Sequence, residues 1–151
     1  MSVHSLQLYF VRLALLVKLQ EFDLCKIEAT PFCQLDKPDI FFDFNNHQVN
    51  KKSGSIASFS FRLLLAELPM HLGTPKVALE NLIDMLDITK KIKGFYKDQA
   101  KEVEAEFWKI REMKIMHSII NCSVYVSTIL RCYSGEIIIN FFLYEFSAKE
   151  L

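Results

Sequence analysis

A chain of 151 residues that is 51% hydrophobic and 13% aromatic holds enough apolar material for one packed domain and too much for a disordered segment. Its 18 Lys and Arg balance 18 Asp and Glu, so no global field steers it toward nucleic acid or anionic lipid. Cys25, Cys33, Cys122 and Cys132 form no CxxC pair, which argues against a zinc ribbon or a thioredoxin-like motif and makes reduced thiols the expectation.

The stretch Leu6–Phe22, LQLYFVRLALLVKLQEF, is too apolar for an ordinary surface helix. A membrane span needs about 20 apolar residues, and here Arg12 and Lys18 leave only Leu13–Val17 uninterrupted. A secretion signal needs a cationic start and a small-residue cleavage site, and neither is present around Met1–Ser5 or after the apolar run. Leu6, Phe10, Leu13 and Val17 form one helical stripe, and Leu8, Val11, Leu15 and Leu19 form another. A helix apolar on nearly every side is expected to lie between neighbours that cover more than one face. Phe22–Ala29 then reads as a shorter helix that ends before Pro31, because the residue preceding proline disfavours helix.

Pro31–Pro38 reads as a turn-rich connection, Asp39–Phe44 has strand-like composition, and Asn45–Ser58 reads as an exposed polar loop with Lys51 and Lys52 at its tip. Helix resumes at Phe59, with Pro69 expected to kink its last turn and Gly73 expected to close it in the left-handed conformation. Thr74 is the expected N-cap of the next helix, with Pro75 at its first position. Leu79, Leu82, Ile83 and Leu86 supply the apolar face of that helix to about Lys93, and Gly94 is the punctuation after it. Asp98–Asn121 is long and amphipathic, its stripe running Val103, Phe107, Ile110, Met113, Met116 and Ile120. Glu102, Glu104, Glu106, Lys109, Arg111 and Glu112 are expected to be a solvated, charge-paired surface rather than a metal site. After Cys122 the chain turns β-branched and aromatic, and local propensity favours strand.

No reaction chemistry is legible. The sequence has no Gly-rich phosphate loop, GxSxG, HExxH or EF-hand. His117 and Cys122 on one helix would sit about 140° apart around the axis and could not face one another. His71 and Cys33 could meet only through the fold. The chain is expected to have no catalytic, cofactor-binding or metal-binding residues, and partner-binding positions cannot be named from the sequence.

Arrangement says more than motifs. Leu6–Gln20 with Phe22–Ala29, and Phe59–Leu72 with Pro75–Lys93, read as two helical hairpins. Leu65–Ala66, then Ala78 and Leu82, fit the paired and small positions of a tetratricopeptide unit, and Tyr9, Phe22 and Cys25 fit the same positions in a degenerate first unit. The hairpins start 53 residues apart rather than the usual ~34. The expected fold is therefore all-α, a stack of TPR-like hairpins over 1–122 with a loop insertion at about 31–58 and an atypical tail at 123–151.

Whole phrases carry a family likeness. SLQLYFVRLALLVKL at Ser5–Leu19, PFCQLDKPD at Pro31–Asp39, GSIASFSFRLLLAEL at Gly54–Leu68, LGTPKVALENL at Leu72–Leu82 and FWKIREMKIMHSIINC at Phe107–Cys122 resemble the subunit-12 family of the trafficking protein particle (TRAPP) complex. The resemblance implies a tetratricopeptide-containing, non-enzymatic adaptor of a vesicle tether acting between endoplasmic reticulum and Golgi. It implies other TRAPP subunits as partners, no nucleic acid, and a cytoplasmic location peripheral to the intermediate compartment and Golgi, with membrane association only through the complex. Family members are longer, so the chain is expected to correspond to a piece of such a protein, and a fragment of a repeat array should expose some apolar face. The alternative is a membrane-anchored protein using the apolar segment Ile115–Phe146.

Overall fold

A computed structural model describes residues 3–32 and 55–147, with backbone alone at 130 and over 132–147. Five helices follow in order: α1 (Val3–Lys18), α2 (Phe22–Ala29) with a 3-10 turn at Thr30–Phe32, α3 (Phe59–His71), α4 (Pro75–Asp98) and α5 (Glu102–Ser147). The described residues contain no strand, and the fold is an all-α stack of packed helices. The strand-like segment Asp39–Phe44, the loop tip at Lys51 and Lys52, and Cys33 lie outside the described residues.

One device makes the three tight turns. At the end of α1, the Gln20 amide donates to Val17 and the Glu21 amide to Leu16, and Gln20 has φ +61°. At the end of α3, Gly73 donates to Met70 and Thr74 to Pro69, with Gly73 at φ +79°. At the end of α4, Ala100 donates to Lys97 and Lys101 to Tyr96, with Ala100 at φ +55°. Each is a Schellman closure, in which one left-handed residue lets two amides satisfy the last helical carbonyls. Gly73 fulfils its expected role. Gly94 does not: α4 runs through it to Asp98, because a single helical glycine costs only about 1 kcal/mol and the turn is already supplied at Ala100.

Helix starts divide likewise. Pro75 occupies the beginning of α4 as expected, but the Thr74 hydroxyl makes no cap to the amides ahead of it. Instead it donates back to the Pro69 carbonyl at 3.1 Å, adding to the Schellman closure. Ser58, which the sequence placed at the end of an exposed loop, is the working N-cap of α3 and accepts from the Phe61 amide at 3.2 Å. The two residues before it, Ile56 and Ala57, are buried, so that supposed loop ends inside the core.

The core has two compartments, with α3 belonging to both. Leu6, Leu13, Leu16, Cys25, Phe32 and Phe61 pack where α1, α2 and α3 meet. Ala66, Ala78, Leu82, Ile115 and Cys122 pack where α3, α4 and α5 meet. Tyr9 and Phe61 both stand against the Phe32 ring, at 5.0 and 5.2 Å between centroids, so the 3-10 turn plugs the first compartment. Polar clamps join the elements: Arg12 to Glu28 between α1 and α2, Lys93 to Glu112 between α4 and α5, and Ser118 to Glu67 between α5 and α3.

Two further expectations fail. α1 is not enclosed: Leu13 is 0% exposed, but Leu8, Val11, Leu15 and Leu19 of the second stripe face solvent, Leu15 at 53%. Among the described residues, only one side of α1 has neighbours to bury it. The region from 123 to 147 is not strand but the continuation of α5, a helix of 46 residues. β-branched residues cost a helix only a few tenths of a kcal/mol each, and extending an existing helix avoids the nucleation penalty. The hydroxyls of Ser123, Ser127 and Thr128 fold back onto the carbonyls of Ile119, Ser123 and Val124, each within 2.9 Å. Cys122, whose thiol points at the Pro75 carbonyl 3.5 Å away, is the last buried side chain described. From there α5 continues for about 37 Å at 1.5 Å per residue.

Candidate interaction surface

Of the residues tested as chemical candidates, Cys33 lies outside the described residues, and His117 and Cys122 do not come together. His71 stacks flat on Phe22, with ring centroids 5.6 Å apart and planes 7° from parallel, and so fastens α2 to α3. His117 contacts Asn121 at 3.2 Å on the outside of α5, away from Cys122 in the core. Cys25 and Cys122 are free thiols. Burial raises the pKa of both, reinforced by Glu28 near Cys25 and Glu67 near Cys122. Buried thiols held protonated are poor nucleophiles, and they pack as small apolar residues.

The charged side of α5 is less solvated than its composition implies. Glu106 pairs with Lys109 at 3.1 Å, as expected of neighbours on a helix, but Glu112 turns inward to Lys93. Arg111 departs furthest from expectation. Its guanidinium lies 4.3 Å from the Trp108 ring centroid, 4.5 Å from Phe107 and 5.2 Å from Phe59. Burial lowers its pKa, while Tyr96 opposes that shift. Three aromatic faces around one cation tie α5 to the start of α3, a packing role invisible in a charge pattern.

The exposed surface of α5 includes a large apolar stripe. α5 buries Ala105, Ile115, Ser118 and Cys122 against α4 and α3, mostly small side chains that allow close helix approach. The large stripe therefore faces out: Val103, Phe107, Ile110, Met113, Met116 and Ile120 are all exposed, Val103 at 82%. Val103, Phe107 and Ile110 line a shallow hollow rimmed by Glu104 and Glu106. On α1, Leu8, Val11 and Leu15 line a second hollow beside Arg12. Among the described residues, apolar stripes are thus exposed on the first helix and on the last. Exposed apolar surface of this kind marks interaction rather than catalysis.

Relatives of this chain are found among trafficking-complex subunits. Over 134 aligned residues, covering 80% of this chain, it is 36% identical to human trafficking protein particle complex subunit 12. The mouse protein of the same name is 35% identical over the same share of the chain. This chain is related to trafficking protein particle complex subunit 12. It spans 18% of the length of the human TRAPP subunit and 17% of the mouse one. No protein-family model matches the chain. No solved structure matches it. Among the described residues no helix is long and apolar enough to cross a membrane.

Proposed function

We propose that this chain is a non-enzymatic adaptor within a TRAPP-type vesicle tether, holding partner subunits on exposed helix faces. The likeness to subunit 12 over four-fifths of the chain carries the reading. Stacked helices with apolar outer faces suit it, since tetratricopeptide arrays bind proteins by stacking helical pairs into extended surfaces. The positions expected for such a unit support it: Ala66, Ala78 and Leu82 share one core compartment, and Cys25 sits at the heart of the other.

In this reading the partners are other TRAPP subunits, and nucleic acid is not among them. The protein acts in endoplasmic reticulum-to-Golgi traffic, on the cytoplasmic side of the intermediate compartment and Golgi, peripheral to the membrane through the complex. The outer stripe of α1, Leu8, Val11, Leu15 and Leu19, is the surface offered to a partner subunit. Affinity purification of the tagged chain with mass spectrometry tests the assignment. Enrichment of other TRAPP subunits supports it; recovery equal to an untagged control overturns it. Carbonate extraction separates it from an anchored protein, which would stay in the membrane pellet.

A further inference from the structure

The outer face of α5 has a periodicity of its own. From Val103 to Val124 seven apolar residues recur in six steps over 21 positions, a mean of 3.5 residues per step. That is the repeat of a helix that pairs with another helix, not of one lying against a broad core. The face is exposed along its whole length, while α3 and α4 cover the opposite side. Leaving aside Glu112, which is turned inward to Lys93, and Arg111, which is held among aromatic rings, charge along it is ordered. Glu102, Glu104 and Glu106 come first, and Lys109 and Lys114 follow, all of them exposed.

We propose that α5 pairs with α5 of a second copy of this chain, antiparallel, through the face that begins at Val103. A parallel pair would set Glu against Glu and Lys against Lys. Reversing one helix sets Glu106 opposite Lys109 of the other copy, Val103 opposite Met113 and Phe107 opposite Ile110. The midpoints of the three pairings fall within half a residue of Trp108, an offset of under ~1 Å along the helix, so one two-fold axis near that position brings all three within reach. This is what an isologous contact requires: one patch carrying both halves of every pair. The internal Glu106–Lys109 contact, at 3.1 Å, needs only a rotamer change to be shared across the axis. The hollow lined by Val103, Phe107 and Ile110 receives Met113 of the partner, an unbranched side chain suited to irregular gaps. The occupant is a second copy of the chain, so pairing depends on concentration. It is independent of the trafficking assignment and leaves the α1 stripe free.

Sedimentation velocity of the full chain over a range of concentrations tests it. The expected result is a doubling of mass as concentration rises. Ile110→Glu should hold the protein monomeric with its circular dichroism unchanged, since that side chain is outside the core. Lys109→Glu should weaken pairing, and Glu106→Lys combined with Lys109→Glu should restore it. Under mild oxidation Val103→Cys/Met113→Cys should give more disulfide-linked dimer than the parent, whereas Val103→Cys alone should not. A parent that stays monomeric, a dimer indifferent to Ile110→Glu, or efficient crosslinking by Val103→Cys alone would overturn the arrangement.

Discussion

Ser118 on α5 donates its hydroxyl hydrogen bond to the Glu67 carboxylate on α3, 51 positions earlier in the chain. Ser118 is 7% exposed, and this bond fixes how the last helix sits on the second hairpin. A hydrogen bond to a charged acceptor contributes more than a neutral one, and removing its donor leaves the partly buried carboxylate short of a partner. Ser118→Ala should therefore lower stability by about 1–3 kcal/mol, read as a shifted denaturation midpoint with an unchanged slope. An unshifted midpoint would mean that water replaces the hydroxyl without loss.

The two stripes of α1 make a paired test. Leu13 is 0% exposed in the first core compartment, and Leu15, two residues on, is 53% exposed. Leu13→Ala should cost about 2–5 kcal/mol, as expected of a cavity left in a packed core. Leu15→Ala should stay within about 0.5 kcal/mol of the parent. Equal losses would show α1 enclosed on both sides, as its composition first implied.

The Schellman closures give opposite expectations for two small residues. A Cβ added at Gly73 meets nothing within 4 Å, so Gly73→Val carries only the backbone cost of a β-branched residue at φ +79°. That cost is about 1–2 kcal/mol. Ala100 already bears such a penalty at φ +55°, and Ala100→Gly should raise stability by up to about 1 kcal/mol. Thermal melts of both variants decide it. A stabilised Gly73→Val, or a destabilised Ala100→Gly, would contradict the turn geometry.

Acid should open the α1–α2 clamp. Hydrogen bonding and charge from Arg12 hold the Glu28 pKa below the ordinary carboxylate range, against an opposing contribution from desolvation. A carboxylate whose folded pKa is depressed stabilises the fold above its unfolded pKa and loses that contribution as pH falls through the folded value. Glu28→Gln should thus narrow the stability difference between neutral and acid pH relative to the parent. Identical pH profiles would show that the clamp contributes nothing.

How far the sequence carried can be read at individual residues. Helix existence and type were legible from period, and the Gly73–Pro75 boundary from its punctuation. A turn between Gln20 and Phe22 was legible, but the left-handed residues Gln20 and Ala100 were hidden, because a left-handed Gln or Ala has no sequence signature and is selected by the packing of the helices it joins. The buried face of α5 was hidden for another reason. Hydropathy marks Val103–Ile120 as the stripe, but close approach to α4 favours Ala105, Ser118 and Cys122, so size overrules hydropathy. The strand propensity after Cys122 was real but local, and the helix already running through it prevailed.

That continuation sets the expected outcome of removing 123–151. Helix content should fall, because residues 123–147 are helical. The cooperative melt of the body should persist at nearly the same temperature, because the last described buried contact is Cys122 against Pro75. Loss of the transition would make the distal helix an integral part of the core.

The central claim, that an exposed helix face joins this chain to a trafficking complex, is tested most directly by quantitative affinity purification of the parent beside Leu15→Asp. The account expects other TRAPP subunits to be enriched with the parent and depleted with Leu15→Asp, while circular dichroism of the two proteins coincides. Equal recovery from the parent, the variant and an untagged control would contradict it.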